Sequence, residues 1–250
     1  DKDVRIRVWD ENQPLLEPGT FVYPVKQRWM ASDTQMANEP CYVDAAEDPF
    51  NKRIYYHYGL DFGGYDMLVP VVAATDGTVI SVAGESVENY KEKYPQVSPR
   101  YDVVYILDDR GWYYRYSHMH KILPHVQLGA RVKMGEWIAI LGKEGASGGW
   151  SHLHFAPYGT EGNEKGLINA YPFVVEAYLN EHPNALMAVA RPHQIAAPGQ
   201  DVTLDGSHSI SAQGSITDYE WTLCDGRTAE GPQVTTTYDK PGVYSEILRV

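Results

Sequence analysis

Trp150–Tyr158 reads WSHLHFAPY, with a leucine between two histidines and aromatic and apolar residues around them. On an extended chain, residues two apart point to the same face. His152 and His154 then stand side by side while Leu153 and Phe155 face the other way. Two neutral imidazoles on one face suit a metal site, or a metal ligand beside a catalytic base. The same stretch, taken alone, serves equally well as a cross-strand pair on a wet sheet face.

Outward from this stretch the chain is built of short β-like runs cut by turn residues: MLVPVVAA (67–74), GTVISVAG (77–84), DVVYILDD (102–109), WYYRYSHM (112–119), RVKMG (131–135) and EWIAILG (136–142). Turn dipeptides such as Asp76-Gly77 separate them, the pattern of an antiparallel, mostly β domain. Residues 85–101, ESVENYKEKYPQVSPRY, are polar and interrupt it, which reads as a surface insertion able to form a short helix. Residues 171–181, YPFVVEAYLNE, carry apolar residues at helical spacing (Phe173, Val174, Ala177, Tyr178) with Pro172 near the start, so a helix is expected there. Before the domain, DVRIRVWD (3–10) alternates like a strand, and PGTFVYPV (18–25) opens a new element after a Pro-Gly turn.

From Ala185 the character changes. ALMAVA, QDVTLDG, SITDYEWTL, QVTTTYD and GVYSEILRV are short alternating runs with Gly, Pro, Asp and Ser between them, as in a small β-sandwich. The expected organisation is a lead-in over 1–17, a β domain over 18–160, a helical connector and linker over 161–184, and a sandwich over 185–250. A complete sandwich takes about 80–100 residues, so this second unit reads as cut short.

Bulk properties narrow the function classes. The 250 residues are 43% hydrophobic and 22% charged, without an apolar run long enough to span a bilayer. A net charge of −12 argues against nucleic acid or an anionic membrane as partner. The 19 tyrosines favour β-structure and exposed binding surfaces. The chain opens on Asp1, as a processed or trimmed product would. Cys41 and Cys224 have no CxxC partner, which makes zinc–thiolate chemistry a poor fit and leaves their redox state open.

YYHYGLDFGG supplies His57 and Asp61, four apart with Gly59 between. Fully extended, four residues span roughly 13 Å, too far for two ligands that must each lie about 2 Å from a zinc ion. A bend at Gly59 removes that objection, because glycine tolerates conformations that other residues resist. His, Asp and one more His make three ligands with an open fourth position, as in catalytic zinc sites. The third is expected from the 152/154 pair. Alone, His57 and Asp61 are better read as residues flanking a turn. RYSHMHKI adds His118 and His120, which share a face on a strand, so spacing does not choose between them.

HYGLD, YSHM and LGARVKMGEWIAILGKEGASGGWSHLHF occur here in one order and at separations that together resemble the lysostaphin/LytM-type zinc metallopeptidases. Val132, Gly135, Ile138, Gly142 and Gly145 fit the run that precedes the H-L-H-F strand in that family. The resemblance covers about 18–158 and implies an antiparallel LytM-like fold. It further implies one Zn2+ per chain held by His57, Asp61 and His154, His118 and His152 as the catalytic pair, and Tyr116 as a substrate or oxyanion contact. The activity it implies is hydrolysis of a peptide bond by a zinc-activated water assisted by the two histidines. The 85–101 insertion departs from the short Gly-rich turn usual in the family, which puts substrate preference and the openness of the groove in doubt. Residues 185–250 resemble a PKD-type Ig-like domain through DVTLDGSHSI, GSITDYEWTLCDGR and YDKPGVYSEILRV, with Cys224 where the family usually has glycine. Trp221 is expected in its core and Asp225-Gly226 in a turn.

These readings imply a bacterial enzyme that is secreted, periplasmic or at the cell envelope and cuts peptidoglycan cross-links or stem peptides, with a PKD-like unit that binds a polymer or protein or acts as a spacer. Because an acidic chain is not drawn electrostatically to an anionic wall, a peptidase of Gly-rich extracellular protein is the second enzymatic reading. A LytM-like scaffold or regulator without activity is the third. Tyr55, Tyr56, Tyr58, Tyr113 and Tyr114 are candidates for a substrate groove, with core packing an equal claim on them. His182, His193 and His208 are expected to be solvated.

Overall fold

The computed structural model describes residues 19–27, 39–43, 53–161, 164–190 and 194–250. The expected strand in DVRIRVWD and His193 lie outside the described residues, as do the side chains of Cys41, Tyr55 and Tyr56. The protein is mostly β, and every strand pairing among the described residues is antiparallel.

In chain order the strands begin with β1 (Glu39–Val43) paired to β2 (Arg53–His57), then β3 (Leu60–Gly63), β4 (Pro70–Val72), β5 (Gly77–Val82) and β6 (Glu85–Ser86). One turn of helix, α1 (Tyr90–Lys93), precedes β7 (Val104–Leu107), β8 (Tyr113–Ser117) and β9 (Met119–Ile122). β10 (Arg131–Val132), β11 (Trp137–Leu141), β12 (His152–Glu161) and β13 (Glu164–Leu167) lead into helix α2 (Tyr171–Glu181). The main sheet has the order β10-β5-β7-β8-β12-β13, with β3 also pairing β12 and β6 pairing β5. A smaller sheet, β4-β11-β9, completes the β framework of this unit.

Alternation along β12 sorts its side chains. Phe155 is in register with Tyr116 of β8 and Leu60 of β3, and Leu153 with Phe62, so these residues share the face that enters the main core. Burying each such side chain contributes about 1.5–3 kcal/mol. β4 and β11 add Val71, Ile138 and Leu141 to the same core, and α2 adds Phe173, Val174, Ala177 and Tyr178. Pro172 sits in the first turn of α2, where its missing N–H removes no bond. Phe21 packs edge-on to Phe173 at 4.8 Å and Tyr23 to Tyr178 at 5.1 Å, joining the 19–27 segment to that helix.

The opposite face of the main sheet carries a second, smaller cluster. Tyr105, Tyr113, Ala156 and Tyr158 lie there with Val97, and with Val87, Tyr90 and Tyr94 packed against them. The 85–101 insertion is therefore seated on this sheet face through apolar residues hidden in a polar stretch, and its helix is the four-residue α1.

In the C-terminal unit the strands are β14 (Leu186–Met187), β15 (Asp201–Asp205), β16 (Ile210–Ser211), β17 (Glu220–Thr222), β18 (Thr228–Glu230), β19 (Gln233–Thr237) and β20 (Ile247–Arg249). They form the pairs β14-β16 and β15-β19 and the three-stranded order β18-β17-β20. Trp221 is buried, with its indole N–H donating to the Gly231 carbonyl at 3.0 Å. The Cys224 thiol is free and exposed. His208 is exposed as expected, but His182 is half-buried because it ends α2 with its ring 4.5 Å from that of Tyr178.

Candidate metal centre

On the face of β12 opposite the core, His154 is in register with Asp61 of β3 on one side and Ser117 of β8 on the other. Asp61 alternates with Leu60 and Phe62, so burying those two in the core turns the carboxylate toward His154. His57 ends β2, and the chain turns sharply at Gly59, whose φ is +115°. A Cβ there would sit 2.7 Å from the Phe155 carbonyl oxygen, so the close approach of this turn to β12 requires glycine.

The turn brings three donors together. Nδ1 of His154 lies 2.9 Å from an Asp61 oxygen and 3.1 Å from Nε2 of His57, and His57 Nε2 lies 3.2 Å from the other Asp61 oxygen. All three residues are buried, and one ligand atom from each lies within 4.8 Å of the other two. Burial raises the Asp61 pKa, but hydrogen bonds with His154 and His57 outweigh it and hold the carboxyl well below the usual range. Burial pushes the His154 pKa down to about 4 against the pull of Asp61, so the ring is neutral at neutral pH. An ionised carboxylate and two imidazoles, converging through N, N and O atoms, are a donor set that fits Zn2+.

Two further histidines border the cluster. Nδ1 of His152 is 3.1 Å from the Trp150 carbonyl, and its Nε2 is 3.7 Å from Asp61 Oδ1. The Trp150 indole stacks on the His152 ring at 3.9 Å and 16°. Burial lowers the His152 pKa, partly opposed by Asp61. His118 has φ +69°, a left-handed conformation uncommon outside glycine. There the chain leaves β8 in the main sheet for β9 in the smaller one, and the buried His118 ring comes 4.7 Å from that of His152. His120 lies apart from this group, exposed and 3.7 Å from Glu144.

Two neighbours of the histidines, Asp102 and Glu144, carried no signal in the sequence. Asp102 has a buried carboxylate that accepts the His118 backbone N–H at 3.0 Å and an Arg100 Nε–H at 2.9 Å. Burial raises its pKa, but hydrogen bonds from His118 and Arg100 outweigh it and keep it ionised. Glu144 offers its carbonyl to Nδ1 of His118 at 2.7 Å. Trp150 could have been suspected, since it lies two residues before His152 in a stretch with strand alternation.

Tyr116 does not join the group. It is 0% exposed, stands on the core face opposite Phe155, and its hydroxyl accepts the Ala74 N–H at 2.8 Å. Strand alternation assigns Ser117, the next residue, to the His154 face, so Tyr116 cannot serve as the substrate contact that the resemblance implied. Tyr113 and Tyr114 are also buried, whereas Tyr58 is exposed beside the cluster.

Residues 55–165, which contain every histidine and aspartate of this cluster, match peptidase family M23. The chain carries an M23 peptidase domain. Residues 180–250 match the PKD domain family. The M23 region is similar to an uncharacterized metalloprotease from Haemophilus influenzae, 29% identical over 149 residues, 60% of this chain and 27% of the relative. The chain thus spans about a quarter of the length of that curated relative. Among solved structures it is similar to the catalytic domain of lysostaphin from Staphylococcus simulans, at 20% identity over 58% of this chain and 92% of the other, with a TM-score of 0.41. A zinc containing peptidase from Vibrio cholerae is 25% identical over 61% of this chain and 39% of the other, with a TM-score of 0.42. Residues 55–165 thus combine a match to peptidase family M23 with a buried His-Asp-His cluster able to hold a metal ion.

Proposed function

We propose that the protein is a zinc-dependent endopeptidase that hydrolyses peptide bonds in the cross-links or stem peptides of peptidoglycan, with one Zn2+ held by His57, Asp61 and His154. The observation that carries this reading is the convergence of two imidazole nitrogens and a carboxylate oxygen within 4.8 Å, bordered by His152 and His118. A zinc ion held there supplies Lewis-acid chemistry, acidifying a water and polarising a scissile carbonyl.

The two bordering histidines divide the proton work. Donation from Nδ1 of His152 to the Trp150 carbonyl fixes the tautomer and leaves the lone pair of Nε2 facing the cluster. His152 Nε2 is thereby placed to accept a proton, as a general base must be. The same tautomer in His118, set by the Glu144 carbonyl, leaves its Nε2 free to accept, on a ring 4.7 Å from that of His152. There it orients the water or the developing oxyanion. A peptidoglycan substrate places the enzyme outside the cytoplasm, secreted, periplasmic or at the envelope, with the PKD unit as spacer or as binder of a polymer or protein.

The test is a muropeptide profile of purified peptidoglycan incubated with the protein, beside a His152→Ala control. Loss of cross-linked species and new amine termini only with the intact protein is the expected result and identifies the bond cut. An unchanged profile with one zinc bound per chain would overturn the wall substrate and redirect the search to Gly-rich protein or a non-catalytic role. Failure to bind zinc would overturn the metal reading itself.

A further inference from the structure

Arg115 lies on the metal-centre face of β8, two residues before Ser117 and in register with Ala156, two residues beyond His154. It is only 5% exposed. Its Nε–H donates to Ser117 Oγ at 2.9 Å and an Nη1–H to the Tyr58 hydroxyl at 3.0 Å. The guanidinium also lies over the rings of Tyr58 and Tyr105, at 5.5 and 6.0 Å. All these partners are neutral. Among the described residues no carboxylate stands within ion-pair distance of Arg115, and no protein acceptor engages its Nη2. Hydroxyls and ring faces ease the burial of a guanidinium but do not neutralise it. Beside the candidate centre the charge thus has no ion-pair partner among the described residues, with Asp102 favouring it only from beyond that distance.

Tyr58 links the two places. Its ring stacks on His57 at 6.2 Å and meets the edge of His154 at 4.9 Å, while its hydroxyl holds Arg115. It is 43% exposed and adjoins the turn at Gly59, so it is the solvent-facing cover of a buried cation. Two residues along a strand span about 7 Å, which sets the guanidinium one to two substrate residues from a bond bound at the metal centre.

We infer that Arg115 is a recognition site for a substrate carboxylate, which displaces the Tyr58 hydroxyl from the guanidinium. The inference rests on the peptidase reading for the identity of the ligand as substrate. A flat guanidinium between two tyrosine rings suits a planar carboxylate bound through paired N–H groups. That carboxylate is either the free end of a peptide or one carried on a side chain.

The test is a binding titration of the full chain loaded with zinc, following the Arg115 Nε–H resonance by NMR, with Arg115→Lys identifying the signal. N-acetylalanine presents a terminal carboxylate and N-acetylglutamate α-amide a side-chain one, while N-acetylalaninamide presents neither. A saturable shift with one or both carboxylates but not with the amide is expected, and which of them binds identifies the source. Tyr58→Phe removes the competing hydroxyl and tightens binding about three- to tenfold, the worth of one neutral hydrogen bond. Arg115→Met weakens it at least about tenfold, as loss of a charged hydrogen bond should. A resonance unmoved by either carboxylate, or moved equally by the amide, overturns the inference. Unchanged affinity in Tyr58→Phe overturns the displacement. Because the readout needs no turnover, a chain that binds carboxylate yet leaves peptidoglycan intact overturns the peptidase reading alone.

Discussion

One leucine separates His152 from His154, yet their rings meet different neighbours. His154 faces Asp61 and His57 and is neutral through burial, whereas His152 is held by the Trp150 carbonyl and indole at the edge of the cluster. Removing either imidazole therefore has a different consequence. In His154→Ala, bound zinc measured by elemental analysis falls from about one per chain to near zero, and hydrolysis goes with it. In His152→Ala, zinc stays and turnover drops by about 10²–10⁴, the usual worth of a general base. Equal zinc loss in both would refute the division of labour. Asp102 gives a third expectation. Its folded pKa is depressed, so its contribution to stability is present above the unfolded carboxylate pKa of about 4 and is lost as pH falls below it. Asp102→Asn flattens the acid limb of a Tm-against-pH curve while lowering Tm at neutral pH.

At β12 the two functions of a strand coincide. One face supplies Leu153 and Phe155 to the core, and the other presents the histidines, so a one-residue slip would exchange them. The turn at Gly59 sets His57 against that strand. Gly59→Ala meets both a positive φ and a carbonyl 2.7 Å from its new methyl, and should cost about 1–3 kcal/mol. Thermal melting reads the loss, and zinc affinity falls with it because His57 is displaced. A variant with unchanged Tm and zinc content would show that the turn tolerates more than its geometry implies. The same alternation that serves β12 explains the place of Tyr116: its neighbours Arg115 and Ser117 take the working face and leave it in the core.

Across the molecule, the centre lies where β2, β3, β8 and β12 meet, with the 85–101 insertion seated on the adjoining sheet face. No helix among the described residues is long and apolar enough to cross a membrane. Zinc held by donors from three of these strands would cross-link the native state. At a free zinc concentration about 100 times Kd, linkage adds about 2.7 kcal/mol, or about 5–10 °C in Tm for a chain of this size class. Chelation should remove that increment together with hydrolysis, and stoichiometric Zn2+ should restore both. A chelated protein with unchanged Tm would show that the cluster is not loaded.

Much of this was legible because strand periodicity is local. The alternation around Leu153 and Phe155 dictates that His152 and His154 share a face whatever lies beyond. The change of pattern at Ala185 likewise marks a second unit, and Pro172 with its apolar spacing marks α2. Glycine's freedom at position 59 made the approach of His57 to Asp61 credible before any fold was known. Other features depend on contacts between distant segments. Spacing could not separate His118 from His120; the chain's passage between two sheets at His118 did. Nor does local pattern reveal that Asp102 supports His118, that Tyr116 points away from the centre, or that Arg115 is buried with no ion-pair partner among the described residues. Those follow from which strands pair and in what register, and register is decided by burying apolar side chains from all over the chain in one core.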